Sequence, residues 1–488
     1  MKTFELESDM TSWKRGFYIN GTWIEPAGLE VEAVVNPATE EAIAEILMAG
    51  ELQVNEAVAA AKAAFQTWRK TTKSERRAFL VRLLESMERR SDEFARTISL
   101  EMGAPIDLAR DVHTQFVGIG RLKETIASLD RFEDVTTTSS GATYVLHQPV
   151  GVCALITPWN WPLNQIAQKV FPALAVGCTM VLKPSSLSPL DAILLTECID
   201  EAGFPKGVFN LIHGAGSRIG SQLSSHPDVD MVSLTGSTRA GISVMENAAK
   251  TIKRVSLELG GKSPNIVFAD ADLDKAATWG VQRVMMNSGQ TCTAPTRMLV
   301  ERPVYDAVVE KAAAVCQAIK IGDPSQHGAH MGPVVSAHQF DTIQNYIRIG
   351  IDEGARLVAG GLGKPEGLNR GFYVRPTVFA DVTNDMTIAR EEIFGPVLVI
   401  LPFEDEEDAI RIANDSPFGL AGHVHTNDPD RAQRVARALD AGMIGVNGQG
   451  QGVDAPFGGF KMSGIGREGS DWGLHDFLEI KSVTGVAV

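Results

Sequence analysis

Cysteine is scarce in this 488-residue chain: five in all, at positions 153, 178, 198, 292 and 316, with no CxxC pair. An odd count without clustering excludes a disulfide framework and the common zinc spacings. Free thiols in a reducing compartment are the reading, so a cytoplasmic location is expected. Long apolar runs are missing as well; none reaches the ~20 residues needed to span a bilayer. The amino-terminal MKTFELESDMTSWKRGFYINGTW is charged and lacks the apolar stretch of a secretory signal. Positive charge is in deficit, 45 Lys and Arg against 60 Asp and Glu, a net −15. That argues against nucleic acid or an anionic membrane as partner. The ten histidines are scattered. His423 and His425 share a strand-like spacing with no nearby cysteine, so no metal site is expected and both read as surface residues.

What is present is ordinary globular composition, 44% hydrophobic, in a chain long enough for two or three domains. Residues 51–130 carry apolar positions at three- and four-residue spacing, with Ser74 as a helix N-cap and Gly103 as a stop. TTTSSGATYVLHQPVG (136–151) alternates like a hairpin around Ser140-Gly141. Then VCALITP, TMVLKPS, VFNLIHGAG and MVSLTGS, short apolar runs separated by helical segments, predict βαβ units and a parallel sheet. A second such set follows Cys292: RMLVERPVYDAVVEKAAAVCQAIKIG, PVLVILPFEDEEDAIRIAND and AGMIGVNG. The hairpin and FLEIKSVTGVAV are left as edge strands, and exposed edges of that kind favour a homo-oligomer.

Four stretches carry candidate chemistry. PWNWP (158–162) sets Asn160 between two tryptophans, which also suits a rigid aromatic turn. LTGSTRAG (234–241) places Gly236 and Gly241 around a helix start after a strand, where backbone N–H groups approach a phosphate, although the spacing is not GxGxxG. VSLELGGKSPNIV (255–267) isolates Glu258 in an apolar strand, either salt-bridged or with a raised pKa. NSGQTCTAPTR (287–297) puts Cys292 between Thr291 and Thr293 beside a glycine and a proline. A thiol kept for packing belongs among apolar neighbours; a helix start at 293–297 would lower its pKa and make it a nucleophile.

Together and in order, TPWNWP, LKPS, LTGST, LELGGKSP, GQTC, EEIFGPVL, NDSPFGLAG and PFGGFKMSGIGRE resemble the aldehyde dehydrogenase superfamily over nearly the whole chain. The resemblance implies an α/β fold: a Rossmann-like NAD(P)-binding domain (1–126 and 149–259), an α/β catalytic domain (260–468) and small oligomerisation strands (127–148 and 469–488). It implies a homodimer or homotetramer that oxidises an aldehyde with NAD or NADP. Cys292 would be the nucleophile, Asn160 the oxyanion donor and Glu258 the base that hydrolyses the thioester. The CoA-acylating branch lacks that glutamate, so a free acid is the implied product. For the coenzyme the resemblance points to Ile156, Trp159, Lys183, Ser186, Arg218, Gly236, Ser237, Leu259, Glu392 and Phe394.

One departure bears on the coenzyme. NAD-preferring members usually carry Glu where this chain has Ser186, and that carboxylate repels a 2′-phosphate. Its absence, with Lys183 and Arg218 nearby, predicts that NADP is accommodated. Around the aldehyde, Trp161, Asn164, Gln165, Gln168, Thr291 and Thr293, with the glycine-rich loop NGQGQGVD (447–454), predict a roomy polar tunnel. It would suit an aldehyde bearing an oxo, carboxylate or heteroaromatic group.

Overall fold

Five of the apolar runs become the parallel strands of one sheet: Val152–Ile156, Thr179–Lys183, Phe209–Leu211, Met231–Thr235 and Arg254–Glu258. Numbered along the chain, they lie side by side in the order 3-2-1-4-5. Every residue of the first, second and fourth strands is buried, which is why these runs are continuously apolar rather than alternating. The order reverses between the first and fourth strands. In doubly wound sheets a ligand crevice opens at the carboxyl ends of the strands at such a point.

The computed structural model describes residues 13–485 apart from Arg15. Most of the charged amino-terminal stretch and the last three residues of FLEIKSVTGVAV fall outside these. A second sheet contains, in spatial order, Arg356–Ala359, Thr377–Ala380, Val397–Phe403, Arg297–Glu301, Pro264–Val267, Ala421–His425 and Met443–Val446. All its pairings are parallel except that of Arg356–Ala359. Only the link LGGKS separates the last parallel strand of the first sheet from Pro264–Val267. The two α/β layers are therefore joined at Glu258–Gly261, and the candidate chemistry lies along that seam.

The expected hairpin forms, Val135–Thr137 against Thr143–Pro149, and Leu478–Thr484 adds a third strand across seven paired positions. This small sheet stands apart from the two large ones, and Ile480 on its outer strand is 70% exposed. Gly103 ends the helix Ser91–Met102 in the left-handed region. Two local expectations change. The N-cap of the second amino-terminal helix, Lys73–Arg89, is Thr72, not Ser74, because Thr72 and Glu75 close a reciprocal capping box. His423 and His425 are not surface residues: they share one face of Ala421–His425 and pack on Trp279, with ring centres 4.7 and 5.2 Å away. Burial pushes their pKa values down to about 3 and about 4. Among the described residues no cluster of metal-ligating side chains occurs, and no helix is long and apolar enough to cross a membrane.

Candidate active site

Cys292 is held by a strained approach. After the helix Leu273–Met285 the chain passes through Asn287, Ser288 and Gly289 with φ of 55°, 56° and 74°. A left-handed residue other than glycine costs roughly 1–2 kcal/mol, so the first two need support. Asn287 Nδ2 donates to the Asn160 carbonyl at 2.8 Å, and Ser288 Oγ to the Gly332 carbonyl at 2.8 Å. At Gly289 no other residue fits: a Cβ would stand 2.0 Å from the Gly395 carbonyl carbon. The buried Gln290 side chain then accepts from the Val335 N–H at 2.9 Å. The result is a rigid loop end carrying Cys292.

The expected helix after Cys292 is absent; the strand Arg297–Glu301 follows a turn. The thiol therefore gains no helix dipole. Burial pushes its pKa up to about 12, with the Glu392 and Glu258 charges adding to the effect. The backbone N–H groups of Cys292 and Thr293 act in the opposite direction. At neutral pH the resting cysteine is a thiol.

Two cavities meet at this sulfur. One, of about 240 Å³, opens at the strand ends and is lined by Trp159, Asn160, Gly236, Ser237, Leu259, Glu392 and Phe394 among others. The other, of about 440 Å³, is lined by Trp161, Asn164, Gln165, Thr291, Thr293 and the loop residues Gly448 to Gly452. Among the described residues, Cys292 is the one that lines both. Gln168, expected with the second group, lines neither, because it lies a turn farther along the fully buried helix Pro162–Val176.

The remaining polar groups are arranged around this junction. Asn160 Nδ2 donates one hydrogen to the Gln290 carbonyl at 3.1 Å, leaving its second N–H unused. Trp161 Nε1 donates to Thr291 Oγ1 at 3.1 Å and the ring stacks on His113. Ser237 caps the helix Thr238–Ala249, accepting from the Ala240 N–H. Glu392 accepts from the Gly261 N–H at 3.1 Å, and burial pushes its pKa up to about 7. Glu258 is buried but lines neither cavity. Its carboxylate occupies space that Gly458 leaves open, where a Cβ would be 2.6 Å from Oε1. Burial, reinforced by Glu468, raises its pKa well above the usual carboxylate range, while Lys169 counteracts this. Lys169 pairs with Glu468 and donates to Ser233 Oγ at 3.1 Å. Neither partner was anticipated, although a lysine inside the apolar run IAQKVFPALAV was a visible signal.

The other coenzyme candidates lie outside the first cavity. Ile156 ends its strand in the apolar core. Lys183 Nζ is buried against the carbonyls of Pro184 at 2.7 Å and Gly214 at 3.2 Å, and burial brings its pKa down to about 8. Arg218 is exposed, near Gly50. Ser186 Oγ donates to Glu32 Oε1 at 2.9 Å, and the Glu32 charge also acts on Lys183. A carboxylate thus stands beside Ser186 after all, delivered from the hairpin strand Val31–Asn36. No local pattern connects residues 154 positions apart.

A family model described as "Aldehyde dehydrogenase family" matches residues 23–483. A 3-succinoylsemialdehyde-pyridine dehydrogenase from Pseudomonas sp. is 49% identical, covering 96% of this chain and 98% of that protein. The crystal structure of an aldehyde dehydrogenase from Bartonella henselae superposes with a TM-score of 0.95 at 49% identity, covering 96% of this chain and 99% of the other. Aldehyde dehydrogenase C from Pseudomonas syringae, solved as a mutant with NAD+ and octanal, gives 0.95 at 45% identity and 97% coverage of each chain.

Proposed function

This chain belongs to the aldehyde dehydrogenase family and oxidises aldehydes to carboxylic acids with NAD+; from that premise we propose which of its residues act and on what kind of aldehyde. The reading is carried by Cys292 standing where the two cavities meet. A coenzyme on one side and an aldehyde on the other would both reach this sulfur and no other shared residue.

The first cavity fits the nicotinamide end of a dinucleotide. It lies at the strand-order reversal, Gly236 and Ser237 set the N-terminus of a twelve-residue helix toward it, and Glu392 offers a buried acceptor for a ribose hydroxyl. A nicotinamide held there would supply the hydride acceptor. Cys292 Sγ passes its proton to water in the cavity and bonds to the aldehyde carbon, forming a thiohemiacetal. The free N–H of Asn160 and the Cys292 backbone N–H hold the oxyanion. Loss of hydride leaves a thioester on Cys292, and water cleaves it. Glu258 takes the proton from that water, for which its side chain turns from Gly458 toward the sulfur. Its raised pKa suits a base working near neutral pH.

NADP+ is accommodated, since Ser186 leaves room for a 2′-phosphate, but at a penalty set by Glu32. The second cavity is not the polar tunnel expected from the sequence. Phe116, Trp161, Trp279, Met286, Met443 and Phe457 make most of its wall apolar, with Asn164, Gln165 and the loop Gly448 to Gly452 as polar patches. It supports an aldehyde whose tail is largely apolar and ends in a polar group, and the name of the Pseudomonas relative, a pyridine-bearing semialdehyde dehydrogenase, agrees with that class. The described residues of 1–126 and 149–259 would form the coenzyme domain and 260–468 the catalytic domain. The small sheet, with Ile480 exposed on its open edge, is the oligomerisation surface of a homodimer or homotetramer. Five free cysteines fit a cytoplasmic setting. The test is Cys292→Ala. It should still bind NAD+ by calorimetry, with no reduced coenzyme formed from any aldehyde and no acyl adduct by mass spectrometry. Turnover in that variant would overturn the assignment.

A further inference from the structure

The second cavity has an unusual charge for this protein. The chain carries a net −15, yet among the described residues the cavity wall holds two arginines, Arg121 and Arg283, and no Asp or Glu. Arg121 is engaged: Nη1 donates to the Val453 carbonyl at 2.7 Å, and Glu468, Glu124 and Asp454 act on its charge. Arg283 has no such company. Its hydrogen bond in the structure is a weak one, Nη1 to Met286 Sδ at 3.5 Å, and it forms no ion pair among the described residues. Burial lowers its pKa, and among the described residues no carboxylate counteracts this.

Arg283 is aimed at the cavity by its helix. Trp279, Arg283 and Met286 follow one another at four and three residues and all line the wall. Beside them His423 is buried with neither ring nitrogen bonded, and it too lines the cavity. A half-buried guanidinium without an anion costs folding free energy, because its desolvation is not repaid. Its planar fork of N–H donors matches a carboxylate in a bidentate pair, and a neutral imidazole adds one further donor.

We propose that Arg283, assisted by His423, binds a carboxylate at the far end of the substrate, so that the aldehyde oxidised on Cys292 is a carboxyl-bearing semialdehyde and the product a dicarboxylate. This rests on the role given above to Cys292. It goes further by making that polar end group anionic. The chemistry at the aldehyde end is unchanged: two electrons leave as hydride, and water supplies the acid oxygen. A reaction that cleaves a ring or deaminates an amino acid to leave such an oxo-acid must supply the substrate.

The test uses the full chain with NAD+ and two four-carbon probes, 4-oxobutanoate and butanal. Wild type should prefer 4-oxobutanoate by a hundredfold or more in kcat/KM. In Arg283→Gln that ratio should fall to within about threefold of unity, and Arg283→Lys should recover part of it. Using the ratio removes any effect of Arg283 on the thiol, which both substrates share. A second readout needs no turnover. Iodoacetate should alkylate Cys292 faster than iodoacetamide relative to their rates with free cysteine, and Arg283→Gln should abolish the excess. A wild-type ratio near unity would overturn the proposal, as would equal losses for both probes in Arg283→Gln. So would a pyridine-terminated aldehyde outrunning 4-oxobutanoate. If instead neither probe nor any other aldehyde reduces NAD+, the role of Cys292 fails first.

Discussion

Replacing Glu32 by Gln tests the coenzyme reading most sharply, because the sequence and the structure weigh against each other there. Ser186 alone argues for easy acceptance of NADP+; the carboxylate 2.9 Å from its hydroxyl argues against it. A 2′-phosphate bonded at Ser186 would lie ~5 Å from the Glu32 charge. With an effective dielectric constant of ~40 for this half-buried position, each unit of phosphate charge meets a repulsion of ~1.7 kcal/mol. For a phosphate of about −1.5 to −2 the total is ~3 kcal/mol. Salt and the neighbouring Lys183 reduce that to ~2 kcal/mol, or a factor of ~30. Glu32→Gln keeps the hydrogen bond to Ser186 and removes the charge. The ratio of kcat/KM for NAD+ over NADP+ should therefore fall about thirtyfold. Calorimetry with 5′-AMP and 2′,5′-ADP, which needs no catalysis, should show a similar change in relative affinity. A ratio that moves less than threefold in both assays would refute the argument and leave Ser186 as the determinant.

Asn160→Ala should lower kcat by two to three orders of magnitude with coenzyme affinity unchanged, since one oxyanion donor is worth ~3–4 kcal/mol; stopped-flow formation of NADH measures it. Glu258→Gln should still give a burst of about one NADH per Cys292 and then stall. The wild-type hydrolysis rate should climb with pH above the usual carboxylate range, because burial raises the pKa of this carboxyl; the variant should lose that climb. Glu101 and Asp191 form a fully buried acid pair at the start of the helix Leu190–Glu201, where Glu101 accepts from the N–H groups of Leu190 and Asp191. Burial raises both, Asp191 to about 8, so their contribution to stability is complete below pH ~4 and lost as the pH rises toward 8. Asp191→Asn should flatten the fall in unfolding midpoint between pH 5 and 8; a fall as steep as in wild type would remove the pair as its cause.

Why some of this was legible along the chain and some not follows from how each residue is positioned. Strands such as Val152–Ile156 and Met231–Thr235 are buried on both faces, so apolar runs announce them. The helix start at Ser237 is a local device, bonded to Ala240 three residues on. Cys292, Asn160, Trp159 and Glu392, named by the ordered motifs, line one cavity together. The apolar cluster around Ile156 hides it from the cavity, and Gln168 is carried past the tunnel by its helix, which spacing alone does not reveal. The pKa of Cys292 was misjudged because the segment after it becomes a strand: the Thr and Pro residues that resemble a helix start serve the turn into Arg297–Glu301. Glu32, Arg283 and the Lys169–Glu468 pair escaped for a shared reason. Each acts through a group far away in sequence or through the absence of a partner, and only the folded chain brings those facts together.

Several groups around Cys292 are costly to the fold. A guanidinium without an anion, a carboxylate buried beside another carboxylate, and two left-handed residues before a cysteine are each unfavourable in isolation. The surrounding structure offsets them with apolar burial: Pro162–Val176 is buried at every position. Such groups persist where a ligand or a reaction completes them, so their cost is itself evidence about chemistry. Applied along the seam between the two sheets, this criterion selects Cys292, Glu258 and Arg283. It passes over Lys183, whose ammonium already has its two carbonyls. Lys183→Met should therefore weaken the fold more than the reaction. A melting temperature lowered by several degrees, with kcat at saturating NAD+ within about threefold of wild type, is the expected result. A variant of wild-type stability with strongly reduced kcat would show that the criterion misplaces this lysine.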